Sequence, residues 1–265
     1  MRVETPRGEF EVRRSGDAGP HVLLLHPLAL AGSFWEPLAA HLGRSATVLA
    51  WDARGHGSSS WDGGAFTIED MADDAAAVIE AAAGGGPVSV VGMSMGGCTA
   101  IALAQRHPEL VDRLVLADTT ACYGPDREKT WEERAQNAQN KPRTEQVPFQ
   151  VTRWFSDGFR EEQPAAVQRV VDIFTATDSA AHAAASRAMG AFDGTPGLDR
   201  ITADTLVVVG EEDYATPPAM AQVLADGIPG ARLEVLESSR HLSLLERPDY
   251  WPALARHLRL EGSGS

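Results

Sequence analysis

The chain has 265 residues, 43% hydrophobic and 23% charged, with a formal net charge of −14. That balance suits a globular protein with ample core, and the excess of acid argues against nucleic acid or an anionic membrane surface as partner, since both attract basic patches. No apolar run approaches the roughly 18 residues of a membrane span, MRVETPRGEFEVRR lacks the apolar stretch of a secretory signal, and Cys98 and Cys122 are too few for a disulfide framework; a cytoplasmic protein is expected.

In chain order, strands are predicted at 9–14 (EFEVRR), 21–26 (HVLLLH), 46–51 (ATVLAW), 88–92 (VSVVG), 113–118 (RLVLAD), 204–210 (DTLVVVG) and 232–236 (RLEVL). Several are unbroken apolar runs, the mark of strands covered on both faces of a parallel sheet. Helices are predicted between them at 33–42, 68–83, 95–107, 218–227 and 249–259. The second shows both its ends: Thr67 caps it, Glu69 and Asp70 suit its positive N-terminus, and Gly84, Gly85 and Gly86 stop it. Strands alternating with helices predict an α/β fold with a doubly wound, mostly parallel sheet, its core formed by 1–120 and 199–260.

From 121 to 198 no strand pattern survives, and the segment reads as an inserted helical cap. Trp131, Trp154, Phe155, Met189 and Phe192, together with Leu242 of the core, are candidates to line a small-molecule pocket beneath it. The competing expectation is that each aromatic only packs the cap onto the core. The last residues, 261–265, read as an appended flexible tail.

Gly92-Met93-Ser94-Met95-Gly96 follows the strand VSVV and opens the helical run GGCTAIALAQRH. Strand, G-x-S-x-G and helix together predict a nucleophile elbow: a sharp turn that projects the Ser94 hydroxyl, with small residues letting strand and helix approach. A serine hydroxyl needs a base to take its proton and an acid to orient that base. GEEDYATPP places Asp213 after one late strand, and ESSRHLSLLERP places His241 after the next, in the order such a fold requires. Glu211, Glu212 and Asp118 are rival acids. Backbone N–H groups of Met95 and of Leu28, in the loop after HVLLLH, are the expected oxyanion donors. Pro27 has no N–H to offer.

Among the other histidines, His26 is expected to orient its loop and His56 to be structural. His107 and His257 lie near helix ends, and His41 and His182 are expected on helix surfaces. No H-x-x-x-H pair or Cys/His cluster is present, so neither metal nor cofactor is expected.

HPLALAGSFW, WDARGHGSSS, VVGMSMGG, GEEDYATPP and SRHLSLLERP stand in the order and spacing of the α/β-hydrolase superfamily, which the chain resembles over nearly its full length. Within it the chain is most similar to the 3-oxoadipate enol-lactone hydrolase group, through TRWFSDGFREEQP (152–164) and TATDSAAHAAASRAMGAFD (175–193) in the cap. The resemblance implies hydrolysis of a small carboxylic ester or lactone through a Ser94–His241–Asp213 triad and an acyl-enzyme. That group tends to carry an arginine–aspartate pair where this chain has Gly190 and Ala191, and an Asn-Ser-Leu-Gly type loop where it has HPLAL. Arg153 and Arg187 are the candidate replacements for an arginine that holds an acidic substrate. A cofactor-free perhydrolase or haloperoxidase, a C–C bond hydrolase and a ligand-binding receptor on the same fold are the alternatives.

Overall fold

The computed structural model describes residues 1–260, so the tail expected at 261–265 lies outside the described residues. Eight strands, β1 (Arg2–Thr5), β2 (Gly8–Ser15), β3 (His21–Leu25), β4 (Thr47–Trp51), β5 (Val88–Met93), β6 (Val111–Ala117), β7 (Asp204–Gly210) and β8 (Arg232–Leu236), form one sheet. Their order is β1-β2-β4-β3-β5-β6-β7-β8. β2 is antiparallel to β1 and β4, and the remaining pairs are parallel. β1 is absent from the sequence expectation. It has four residues on a sheet edge, two of them charged, and leaves no periodicity to read.

The unbroken apolar runs divide between two cores by simple alternation. Leu23, Leu25, Leu49, Trp51, Leu114, Leu116, Val207 and Val209 face one, whereas Val22, Leu24, Val48, Ala50, Val115, Ala117, Leu206 and Val208 face the other. Successive strand side chains point to opposite faces, so a strand buried on both must be apolar throughout. α2 (Ile68–Ala83), α3 (Met95–Arg106) and α9 (Pro218–Gly227) cover the first face, and α1 (Glu36–Leu42), the one-turn α10 (Ser243–Glu246) and α11 (Trp251–His257) the second. Thr67 and Asp70 close a reciprocal capping box on α2, and Gly84 ends it in the left-handed region at φ 79°. The helix expected at 249–259 is a short 3₁₀ turn at Pro248–Tyr250 followed by α11, because Pro248 and Pro252 are each tolerated only at a helix start.

Between β6 and β7 lie five helices, α4 (Arg127–Asn140), α5 (Arg143–Trp154), α6 (Asp157–Glu162), α7 (Pro164–Ala176) and α8 (Ser179–Ala191). α4 packs along α8, and α5 and α6 pack on α7. Trp131, Met189 and Phe192 from this layer join the first core, while Trp154, Phe155 and Phe174 join the second. Fully burying an aromatic or aliphatic side chain contributes roughly 1.5–3 kcal/mol, so the cap is anchored on both sides of the sheet. Among the described residues no helix is long and apolar enough to cross a membrane.

Candidate active site

β5 ends at Met93 and α3 begins at Met95, leaving Ser94 between them at φ 55°, ψ −116°. A non-glycine residue held there costs on the order of 1–3 kcal/mol, so its surroundings must impose it. The Ser94 N–H donates to the Ala117 carbonyl at 3.0 Å, and the Ser94 carbonyl accepts from Gly97 N–H, Cys98 N–H and the Thr119 hydroxyl. The flanking glycines are required by close approach. A Cβ on Gly96 would stand 2.1 Å from the Leu25 carbonyl oxygen, and one on Gly92 would stand 2.3 Å from that of Gly96.

The structure brings three dispersed residues into one hydrogen-bonded line. His241 Nε2 lies 2.9 Å from Ser94 Oγ, and His241 Nδ1 lies 2.8 Å from Asp213 Oδ2. Asp213 Oδ1 accepts the N–H groups of Ala215 and Thr216, and Oδ2 also accepts the Thr216 hydroxyl. Burial opposes the Asp213 charge, but the positive field of His241 and these hydrogen bonds outweigh it and lower its pKa. The rival acids are occupied elsewhere. Asp118 accepts from Gly210 N–H and from the N–H and hydroxyl of Ser243, which ties together the loops carrying Asp213 and His241. Burial, then the nearby Asp213 charge, raises the Asp118 pKa. Glu211 accepts Ser238 N–H, and Glu212 pairs with Arg240.

The residues flanking His241 are bonded to the cap. Leu242 N–H donates to the Trp154 carbonyl, and the Arg240 guanidinium donates to the carbonyls of Thr152 and Phe155. The buried Glu246 carboxylate accepts both Arg240 N–H and Ser156 N–H.

After β3, residues Pro27 to Leu30 form a tight turn closed by Leu30 N–H on the Pro27 carbonyl at 3.2 Å, with Ala29 at φ 58°. A single positive φ at the third position defines a type II turn. His26 braces it: Nδ1–H donates to the Pro27 carbonyl at 2.8 Å, and Nε2 accepts Ala53 N–H at 3.0 Å. Those partners require a neutral ring, and burial, the largest cause, lowers its pKa to about 4.

Burial likewise lowers His56 and His182 to about 3. Unfolded, all three would take protons near pH 6.5. The unfolded chain then binds more protons, so stability should fall as pH drops from about 6.5 toward 4, with no contribution from these groups above that range. Urea midpoints at pH 7.5, 6 and 5 should decline in that order; a flat series would refute it.

A cavity of about 330 Å³ opens over Ser94 and His241, roofed by α4, α5 and α8 and bordered by Pro27 and Leu28. Of the candidate pocket residues, Trp131 and Trp154 line it. Phe155, Met189, Phe192 and Leu242 do not; they are sealed in the packed interior. Neighbours on a helix point about 100° apart, so Trp154 meets the cavity while Phe155 stacks on Phe159 instead.

His182, expected on a helix surface, is buried and lines the cavity. Arg143 Nη1 donates to its Nδ1 at 2.6 Å, so Nε2 carries the ring proton. The missed signal is the spacing of His182, Ser186 and Met189, all buried on one stripe of α8. Arg187 pairs with Glu132 at the surface, whereas Arg153 lines the cavity together with Arg134, which sequence reasoning had not singled out.

A family model for the alpha/beta hydrolase fold matches residues 20–248. 3-Oxoadipate enol-lactonase 2 of Acinetobacter baylyi is 31% identical over 229 residues, covering 86% of this chain and 84% of that protein. A pimeloyl-(acyl-carrier protein) methyl ester esterase of Neisseria meningitidis is 29% identical over 271 residues, 94% of this chain and 80% of that protein. Among solved structures, the enol-lactonase from Burkholderia xenovorans superposes with a TM-score of 0.92 at 30% identity, covering 98% of this chain and 100% of that one. An eight-stranded sheet, a strained serine between strand and helix, and a match spanning nearly the whole chain lead to one conclusion: the chain belongs to the α/β-hydrolase family.

Proposed function

We propose that this protein is a serine hydrolase of small carboxylic esters or lactones, of the enol-lactonase type, working through an acyl-enzyme. The hydrogen-bonded line Ser94–His241–Asp213, opening on a small cavity, carries the proposal. His241 Nε2 takes the Ser94 proton as Oγ attacks the carbonyl, and Asp213 stabilises the resulting imidazolium. His241 then protonates the leaving oxygen and activates the water that frees Ser94. The free thiols Cys98 and Cys122 fit a cytoplasmic setting. Turnover of p-nitrophenyl esters, simple lactones and an enol-lactone by the wild type tests the assignment; peroxide-dependent halogenation without hydrolysis would move it to the perhydrolase class.

Two backbone donors serve the tetrahedral oxyanion. Met95 is the first residue of α3, so its N–H has no carbonyl within the helix to bond. Among the described residues the Leu28 N–H also has no backbone acceptor. Leu28 stands at the second position of its type II turn, where proline is favoured. Leu28→Pro should therefore keep the turn while deleting the donor, lowering kcat on the order of 10²–10³ with little change in melting temperature. A kcat within a few-fold of wild type would remove Leu28 from the oxyanion hole.

A further inference from the structure

The start of α8 is fastened beside the Pro27–Leu30 turn. Thr177 donates its hydroxyl to the Ala29 carbonyl at 2.8 Å, and the Asp178 carboxylate caps the helix through Ala181 N–H. Ala181 packs closely on the loop after β4, where a Cβ at Gly55 would stand 2.8 Å from the Ala181 Cβ. His182 therefore enters the cavity from the β3–β4 side of Ser94, whereas His241 follows β8, on the other side of β5.

His182 is only 4% exposed, and Arg143 fixes the state of its ring. The Arg143 guanidinium rests on the Phe174 ring, 4.2 Å from its centroid, and that ring meets the imidazole edge-on. The guanidinium makes a single hydrogen bond among the described residues, to His182 Nδ1, which leaves the ring proton on Nε2. A bond received at Nδ1 also polarises Nε2–H and strengthens it as a donor. Nε2 has no protein acceptor among the described residues, yet it is not sealed away, since the ring borders the cavity. A buried N–H covered by hydrocarbon is left unpaired at a cost, whereas an oxygen in the ligand satisfies it. The ring is neutral, so an uncharged oxygen suits it without the desolvation of an ion.

We propose that His182 Nε2–H is a specificity-determining donor that selects acyl groups bearing an uncharged oxygen, such as an ether or hydroxyl, with Arg143 as its positioning residue. This rests on the hydrolytic role of Ser94 proposed above. The acyl side follows from the layout of the sheet. His241 meets the leaving oxygen from the β8 side, so His182, across the serine, faces the part that stays on Ser94.

The test compares kcat/KM for p-nitrophenyl 3-methoxypropanoate and 4-methoxybutanoate with that for their hydrocarbon counterparts, the pentanoate and hexanoate. Each ratio is divided by the ratio for hydroxide hydrolysis. The wild type should favour the ether in at least one pair by about 5- to 100-fold, the cost of leaving a buried N–H unpaired. His182→Phe should bring that ratio near one, and His182→Gln, whose amide N–H can reach the place of Nε2, should restore part of it. Arg143→Leu should lower it in step with a loss of the Nε2–H tautomer, read from the ring nitrogens by NMR. Corrected ratios near one in the wild type, or an unchanged ratio in His182→Phe, would overturn the proposal. So would a preference confined to the alcohol side, seen for 2-methoxyethyl acetate over butyl acetate. The wild-type ratios need no variant to fold. Ser94→Ala reports separately: if the esters still turn over, the hydrolytic assignment falls, whatever His182 does.

Discussion

Ser94→Ala is expected to lower ester turnover by a factor on the order of 10⁶ and to abolish labelling by a fluorophosphonate probe. The magnitude follows from what the hydroxyl does. Once Oγ is gone, His241 Nε2 has no proton to take, and only water attack assisted by the oxyanion donors remains. The fold should survive, because Ser94 is held by its backbone, through Ala117, Gly97, Cys98 and Thr119, while among the described residues Oγ hydrogen-bonds to His241 alone. A circular-dichroism melt close to wild type would separate lost chemistry from lost structure. Labelling that persists in the alanine variant would show that the nucleophile lies elsewhere.

Asp213→Asn should cost about 10⁴ in kcat. The local hydrogen bonds predict which way the amide faces. Ala215 N–H and Thr216 N–H both point at Oδ1, so the asparagine oxygen must stay on that side and its NH₂ must face His241. An N–H presented to Nδ1 turns that nitrogen into an acceptor and moves the ring proton to Nε2. Nε2 then donates toward Ser94 and can no longer take its proton. Thr216, whose hydroxyl now donates to Oδ2, can turn to accept from the new NH₂, so the loop should keep its shape. The comparison is Asp118→Asn, which alters a carboxylate bonded to Gly210 and Ser243 and not to His241. Unchanged turnover in Asp213→Asn with a collapse in Asp118→Asn would exchange their roles.

The sheet and the hydrogen-bonded line Ser94–His241–Asp213 were legible because each rests on local chemistry. A strand buried on both faces is apolar at every position, and Gly92 and Gly96 are small because Leu25 and α3 leave no room. Asp213 and His241 follow strands whose order is set by a parallel sheet. The cap resisted for the converse reason. Which side of a helix meets a cavity depends on how that helix docks, so Trp154 and Phe155 look equivalent in sequence and end in different surroundings. Arg134 was hidden differently. On α4 it repeats at helical spacing with Trp131, but a polar stripe on a helix resembles a solvated face until something covers it. Leu28 is put forward as a donor by elimination, since Pro27 lacks an N–H, and its turn type emerged only with the positive φ of Ala29.

The hydrogen bonds that join Arg240, Leu242 and Glu246 to the end of α5 bear on how such an enzyme can diversify. A cap is commonly pictured as a cassette that can be exchanged above a constant catalytic base. Here the histidine loop takes part of its seat from Thr152, Trp154, Phe155 and Ser156, so a graft replacing that stretch would bring a new roof and unseat His241 at once. Substitutions along α4, which rests on α8, change the lining without touching that seat. New specificities should accordingly arise more readily by point changes there than by recombination across the cap.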